Sequence, residues 1–172
     1  MTVYKVLTFP DPFLKTVAKP VIAFDDKLKQ VADDMIETMY ENNGIGLAAV
    51  QVGLDKRMFV MDVTYNKELP EEAKHPEVII NPEILERSDD NEITGEEGCL
   101  SVPEFRAEVK RYAQIKLRYQ DLEGKEHIME TRGLKAICIQ HETDHLEGRL
   151  FIDYLPPLQR NMIKKKLKKK YA

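Results

Sequence analysis

Apolar side chains at Leu28, Val31, Met35, Ile36, Met39 and Tyr40 recur at helical spacing and predict a helix with one buried face. Asp25 or Asp26 offers a cap at its start and Asn42-Asn43-Gly44 a stop, so the helix is expected to reach about Asn42. Before it, a short apolar run from Val3 to Phe9 leads into a turn at Pro10-Asp11-Pro12. After it, the small-residue stretch Gly44 to Gly53 suggests a tight turn between helix and strand. Arg57 to Val63 reads as a strand, and a polar loop follows to about Pro76. A second strand starts at Val78, with a break expected at Asn81-Pro82, and residues 87–96 suggest a charged loop. The segments 105–111, 114–120 and 125–131 predict antiparallel strands, with Asp121-Leu122-Glu123-Gly124 as a hairpin turn. The apolar run Leu134, Ala136, Ile137, Cys138 and Ile139 opens a buried helix. An irregular stretch from Asp153 to Pro157 and a basic helix over about 157–172 follow.

This order of helix, several strands and further helices predicts an α+β fold. The expected architecture is antiparallel and mixed β-sheets packed around the central helix that opens at Leu134, with N-terminal and C-terminal helices. A length of 172 residues suits a single domain over 1–172.

Composition adds limits. A chain that is 42% hydrophobic and 33% charged suits a soluble globular protein, and no apolar run is long enough to span a bilayer. The start lacks the basic residues, apolar block and cleavage site of a secretory signal, and two cysteines are too few for a disulfide framework. The cytoplasm is the expected compartment. The net charge of −4 conceals an asymmetry, because residues 160–172 carry +7 and leave −11 on the rest. Such a block reads as a solvated helix end, an RNA contact or a contact for an anionic membrane.

The central helix contains Gln140-His141-Glu142-Thr143-Asp144-His145. Residues four apart share a helix face, so His141 and His145 can aim two imidazoles at one metal, with Glu142 beside them to handle a water proton. The competing reading is two core histidines and a surface glutamate. A metal needs at least one more ligand, and neither familiar protease pattern supplies it downstream. Phe151 stands where a third His would fall, and the only acid after Glu147 is Asp153. An upstream thiolate is the stronger candidate. Cys138 lies roughly 10 Å along the helix from His145 and reads as core. Cys99, in Glu97-Gly98-Cys99-Leu100-Ser101, is either a ligand or a buried thiol. Gly44-Ile45-Gly46-Leu47-Ala48-Ala49 imitates a dinucleotide loop, but a helix and not a strand precedes it. Its glycines instead permit another backbone to approach, and Gln51 can aim its amide into a pocket.

Three of these stretches together resemble the signature motifs of the peptide deformylase family: Gly44-Ile45-Gly46-Leu47-Ala48-Ala49-Val50-Gln51, Glu97-Gly98-Cys99-Leu100-Ser101 and Gln140-His141-Glu142-Thr143-Asp144-His145. The resemblance covers nearly the whole chain in order and spacing. It implies a metal-dependent hydrolase that removes the formyl group from the N-terminal formyl-methionine of newly synthesised proteins, releasing formate. On that basis Cys99, His141 and His145 are the expected metal ligands, with one position left for water. The family uses Fe2+ natively, and Zn2+, Ni2+ or Co2+ can occupy the site. Glu142 is the expected general base and acid, with the Gln51 amide and the Leu100 backbone N–H as oxyanion donors. Gly44, Ile45 and Gly46 are expected to pair with the substrate backbone, Ile45 and Ile137 to take the methionine side chain, and Arg106 to meet the peptide or its carboxylate. Glu97, Asp144 and Arg111 are expected as a charged network orienting the Cys99 loop and the helix, with ordinary surface ion pairing as the alternative. The implied partners are formyl-methionyl nascent peptides and, through the basic helix, the ribosome; neither DNA nor a membrane is expected.

Overall fold

The structure, a computed structural model, describes residues 2–88 and 92–172. Helix α1 (Asp26–Glu41) starts where its cap was expected: the Asp25 carboxylate accepts a hydrogen bond from the Leu28 N–H at 3.0 Å. Its apolar stripe of Leu28, Ala32, Met35 and Met39 packs against Met58, Val60 and Ile80. Strand β1 (Gly46–Ala48), a short 3-10 turn over Ala49–Val52 and strand β2 (Met58–Met61) follow. Successive strand side chains point to opposite faces, so Met58 and Val60 meet α1 while Phe59 and Met61 face the other way. β2 is therefore buried on both sides.

Strand β3 (Glu77–Arg87) passes through Asn81-Pro82, where a break was expected. The register shifts between Ile80 and Glu83, and Asn81 adopts a left-handed φ of 53°. Asparagine tolerates that conformation, and its side chain replaces lost ladder bonds by pairing with both the N–H and the carbonyl of Val21. Proline is accommodated at such a bulge because no ladder donor is required of it. Strand β4 (Glu92–Cys99) takes the second half of the segment expected as a charged loop, Arg87 ends β3, and residues 89–91 of that segment lie outside the described residues. Pairing with β5 (Val102–Tyr112) overrides the local composition there. β6 (Gln114–Gln120) and β7 (Glu126–Arg132) form the expected hairpin.

The five-stranded sheet runs β1-β2-β3-β6-β7, and β4 with β5 forms a separate hairpin. Every pairing among the described residues is antiparallel, so mixed pairing does not occur there. The α+β architecture holds. Helix α2 (Leu134–Leu146) lays Ala136, Ile139 and Leu146 against Phe59, Ile79 and Leu117 of the large sheet. Gln140 ties its other side to the small hairpin, accepting from the Tyr112 N–H at 3.0 Å and donating to the Tyr112 carbonyl at 2.8 Å. The stretch expected as irregular begins inside a 3-10 turn over Phe151–Tyr154.

Helix α3 (Pro157–Tyr171) is the expected basic helix. It is not a free tail, because Ile163 and Leu167 are buried with Phe9, Val102, Val109 and Phe151 in a cluster against which Cys99 and Phe105 pack. No helix among the described residues is long and apolar enough to cross a membrane. Leu167 is 1% exposed, so Leu167→Ala should cost about 2–5 kcal/mol in urea unfolding. A change below about 0.5 kcal/mol would mean that α3 is detachable.

Candidate functional site

Cys99 ends β4 at a tight turn, where it pairs with Val102 and leaves Leu100-Ser101 as the loop. His141 and His145 are one turn apart on α2, with ring centroids 5.0 Å apart. The Cys99 sulfur and one ring nitrogen from each histidine all lie within 4.8 Å of one another. Cys99 Sγ is 3.3 Å from His145 Nε2. Two elements distant in sequence thus deliver three donors to one point, as the helical spacing and the upstream thiol anticipated.

The orientation of His141 is fixed from behind. Its Nδ1 donates to Glu97 Oε1 at 2.8 Å, which leaves Nε2 facing the sulfur. Arg111 grips the same carboxylate through Nε and Nη2 at 2.8 and 2.9 Å, and its Nη1 reaches Asp144 at 2.6 Å. The side chains of Arg111, Glu97 and Asp144 are 5%, 7% and 16% exposed, which excludes ordinary surface pairing. Burial alone would raise the Glu97 carboxyl, but the hydrogen bonds from Arg111 and His141 outweigh it and hold the group below the usual carboxylate range.

Burial opposes charge on both imidazoles. It drives His145 well below its ordinary pKa, with the facing His141 adding to the effect, so His145 is neutral and able to ligate. At His141 the hydrogen bonds to Cys99 and Glu97 and the Glu142 carboxylate overcome burial and raise the pKa well above its ordinary value. Surroundings that favour a proton on His141 favour a cation at the same place. Burial also pushes Glu142 up to about 7. Glu142 Oε1, Thr143 Oγ1 and His145 Nδ1 are buried without a protein hydrogen-bond partner, and of these residues Glu142 also brings a carboxylate oxygen to 4.0 Å from His141 Nε2. The soft sulfur, the two imidazoles and the unpartnered Glu142 oxygen fit a divalent metal of the zinc or iron kind with water beside it.

Around this point opens a cavity of about 830 Å³, whose lining includes Gly44, Ile45, Gly46, Leu100, Arg106 and Ile137. Gln51, Cys99, His141 and Glu142 also face it. Gln51 is held in one sense: its Oε1 accepts from the Ala48 N–H at 2.9 Å, so Nε2 points inward, donating to Ser101 Oγ at 3.0 Å and lying 3.4 Å from Cys99 Sγ. Gly46 is required by close approach, since a Cβ there would sit 2.5 Å from Glu142 Oε2. Arg106 lies on the rim, folded across Gly98 and paired with Glu96 at 3.2 Å. Cys138 stays outside the ligand cluster; burial and the nearby Glu142 charge push its thiol well up, and its sulfur faces the Ile45 carbonyl at 3.9 Å. The structure therefore brings together every residue expected at the site. It adds Ser101, which anchors Gln51, and Gln140, which clamps α2 to β5; both stood within the motifs, but nothing local marked their roles.

Comparison with known proteins gives one answer. The sequence model of the polypeptide deformylase family matches residues 3–161. Peptide deformylase of Bartonella tribocorum is 50% identical over 170 residues, covering 99% of this chain and 94% of its own length. That of Alkalilimnicola ehrlichii is 49% identical, covering 98% of this chain and 91% of its own. Among solved structures, a peptide deformylase from Legionella pneumophila superposes with a TM-score of 0.88 at 41% identity, covering 98% of this chain and 95% of its own. A peptide deformylase from Ehrlichia chaffeensis in complex with actinonin reaches 0.89 at 39% identity, covering 100% and 99%.

Proposed function

The chain belongs to the polypeptide deformylase family, and from that membership and the site above we propose how it removes the formyl group from the N-terminal formyl-methionine of newly synthesised proteins. The observation that carries the proposal is the convergence of donor atoms of Cys99, His141 and His145 within 4.8 Å, beside a cavity that Cys99, His141 and Glu142 line. These three residues hold one divalent metal, Fe2+ in the cell, with Zn2+, Ni2+ or Co2+ able to take its place. A divalent metal in such a site lowers the pKa of water toward neutrality and acts as a Lewis acid on a carbonyl oxygen.

The protein's own groups carry the remaining steps. Glu142 takes the proton of the attacking water through its unpartnered carboxylate oxygen and returns it to the departing amine. A carboxyl with its pKa raised toward neutrality suits both transfers. The Gln51 Nε2 and the Leu100 backbone N–H stabilise the oxyanion as the tetrahedral carbon forms. Glu97, Arg111 and Asp144 hold His141 in the orientation that exposes Nε2. β1 is an end strand of the large sheet, so residues 44–46 receive the peptide backbone by strand-like pairing, which tolerates many side chains after methionine. Ile45 and Ile137 take the methionine side chain, and Arg106 meets the following peptide or its carboxylate after exchanging its contact with Glu96.

The enzyme works as a single domain in the cytoplasm, alongside translation. Lys165, Lys166, Lys168 and Lys169 are exposed on α3, opposite the buried Ile163 and Leu167, and form its ribosome contact through RNA phosphates.

Glu142→Ala should retain the metal yet lower formate release from a formyl-Met-Ala-Ser peptide by about 10²–10⁴-fold. Turnover equal to the unsubstituted protein would remove the general-base role, and release of internal fragments in place of formate would remove the deformylase reading itself. Changing the four exposed lysines to Gln should weaken ribosome association in a salt-dependent way while leaving formate release intact. Unchanged ribosome affinity in low salt would dispose of that contact.

A further inference from the structure

The three signature stretches lie on separate elements. Gln51 follows β1 in the large sheet, Cys99 ends the separate β4–β5 hairpin, and His145 is near the end of α2. Among the described residues no strand ladder joins the two sheets. Yet a reacting centre tolerates only small displacement, and a misplacement of about 1 Å can cost about a hundredfold in rate.

One short run of chain touches all three. The Leu7 N–H donates to the Gln51 carbonyl at 2.7 Å, the Phe9 N–H to the Ser101 carbonyl at 2.9 Å, and the Ala18 N–H to the Leu146 carbonyl at 2.9 Å. These acceptors are Gln51 itself, the residue after Leu100, and the residue after His145. Between Phe9 and Ala18 the chain bends through a 3-10 turn at Pro12–Lys15, capped by the Asp11 carboxylate on the Phe13 N–H. The run is anchored by side chains as well, with Leu14 2% and Phe9 7% exposed in the cluster that backs the Cys99 hairpin. At its far end it meets α2 so closely that a Cβ on Gly148, whose φ is 76°, would lie 2.5 Å from the Lys15 carbonyl oxygen. Val17 also bridges to Glu147 there.

We infer that Leu7–Ala18 is a positioning strap, whose Leu7, Phe9 and Ala18 amides set the Gln51 turn, the Cys99 hairpin and the end of α2 in one mutual arrangement. The apolar run at Val3–Phe9 and the Pro10-Asp11-Pro12 turn thereby acquire a role in the reaction without touching substrate. Two upstream bonds tether the strap to α1, from Thr2 N–H to Asp34 and from Tyr4 N–H to Thr38, both at 2.9 Å.

The catalytic arm of the test rests on the deformylase reading, and the second arm does not. Leu7→Pro removes the amide that meets Gln51, whereas Leu7→Ala keeps it and loses only side-chain contact. The strap predicts that Leu7→Pro lowers kcat for formate release about tenfold or more, with KM and bound metal within about twofold of the unsubstituted protein, while Leu7→Ala keeps kcat within about threefold. A merely structural role would lower active fraction, bound metal and kcat together. Equal kcat in the two variants overturns the strap. The second arm is amide hydrogen exchange on the unsubstituted, metal-loaded protein, which also decides the matter should Leu7→Pro fail to fold. The Leu7, Phe9 and Ala18 amides should exchange within about tenfold of the β2 amides; exchange more than about tenfold faster overturns the strap. If the unsubstituted protein released no formate, the deformylase reading would fail, and the exchange rates would still decide the strap.

Discussion

The fork between Arg111 and Glu97 is the interaction on which the rest of the site depends. It is buried and bidentate, it lies two residues along β4 from Cys99, and it extends to α2 through His141 and Asp144. Removing two such ions from water costs several kcal/mol each, and their attraction offsets this only with good geometry and satisfied lone pairs. The pair is therefore better understood as a device for register than as a source of stability. Arg111 alone would leave a buried charge, and so would Glu97 alone. Together they fix which nitrogen of His141 faces the Cys99 sulfur.

The fold supplies the other half of that constraint. β2 is buried on both faces, so α1 and α2 are clamped to opposite sides of the large sheet. α2 is then left with polar side chains that are also buried, and several of them serve the site. Gln140 bonds to Tyr112 and His141 to Glu97, while Glu142, which lines the cavity, keeps one carboxylate oxygen without a protein partner. An unsatisfied buried polar atom destabilises a protein, and such atoms persist where chemistry needs them.

Much of this was legible in the sequence because the decisive signals are local. The spacing of Leu28, Met35 and Met39 with Asp25 before them specifies α1, and two histidines four apart specify one face of a helix. Cys99 was harder, because a thiol more than forty residues before the two histidines leaves no periodic trace; failed downstream patterns and the likeness to a family pointed to it. What stayed hidden was fixed by pairing across distance. Asn81 looked like a breaker because its bonds to Val21 exist only in the folded chain. The charged residues before Cys99 looked like a loop because β5 was needed to make them a strand. Ser101 and the amides of Leu7 and Phe9 have ordinary local surroundings, and their importance lies in which carbonyl or amide they meet.

On the function proposed above, one thiolate and two imidazoles from this chain hold the metal. X-ray absorption spectroscopy on the zinc-loaded protein tests it most directly. Cys99, His141 and His145 predict one sulfur at about 2.3 Å and two imidazole nitrogens at about 2.0–2.1 Å around each metal, with the sulfur lost in Cys99→Ala and kept in Cys138→Ala. A metal surrounded only by nitrogen and oxygen in the unsubstituted protein would contradict the account.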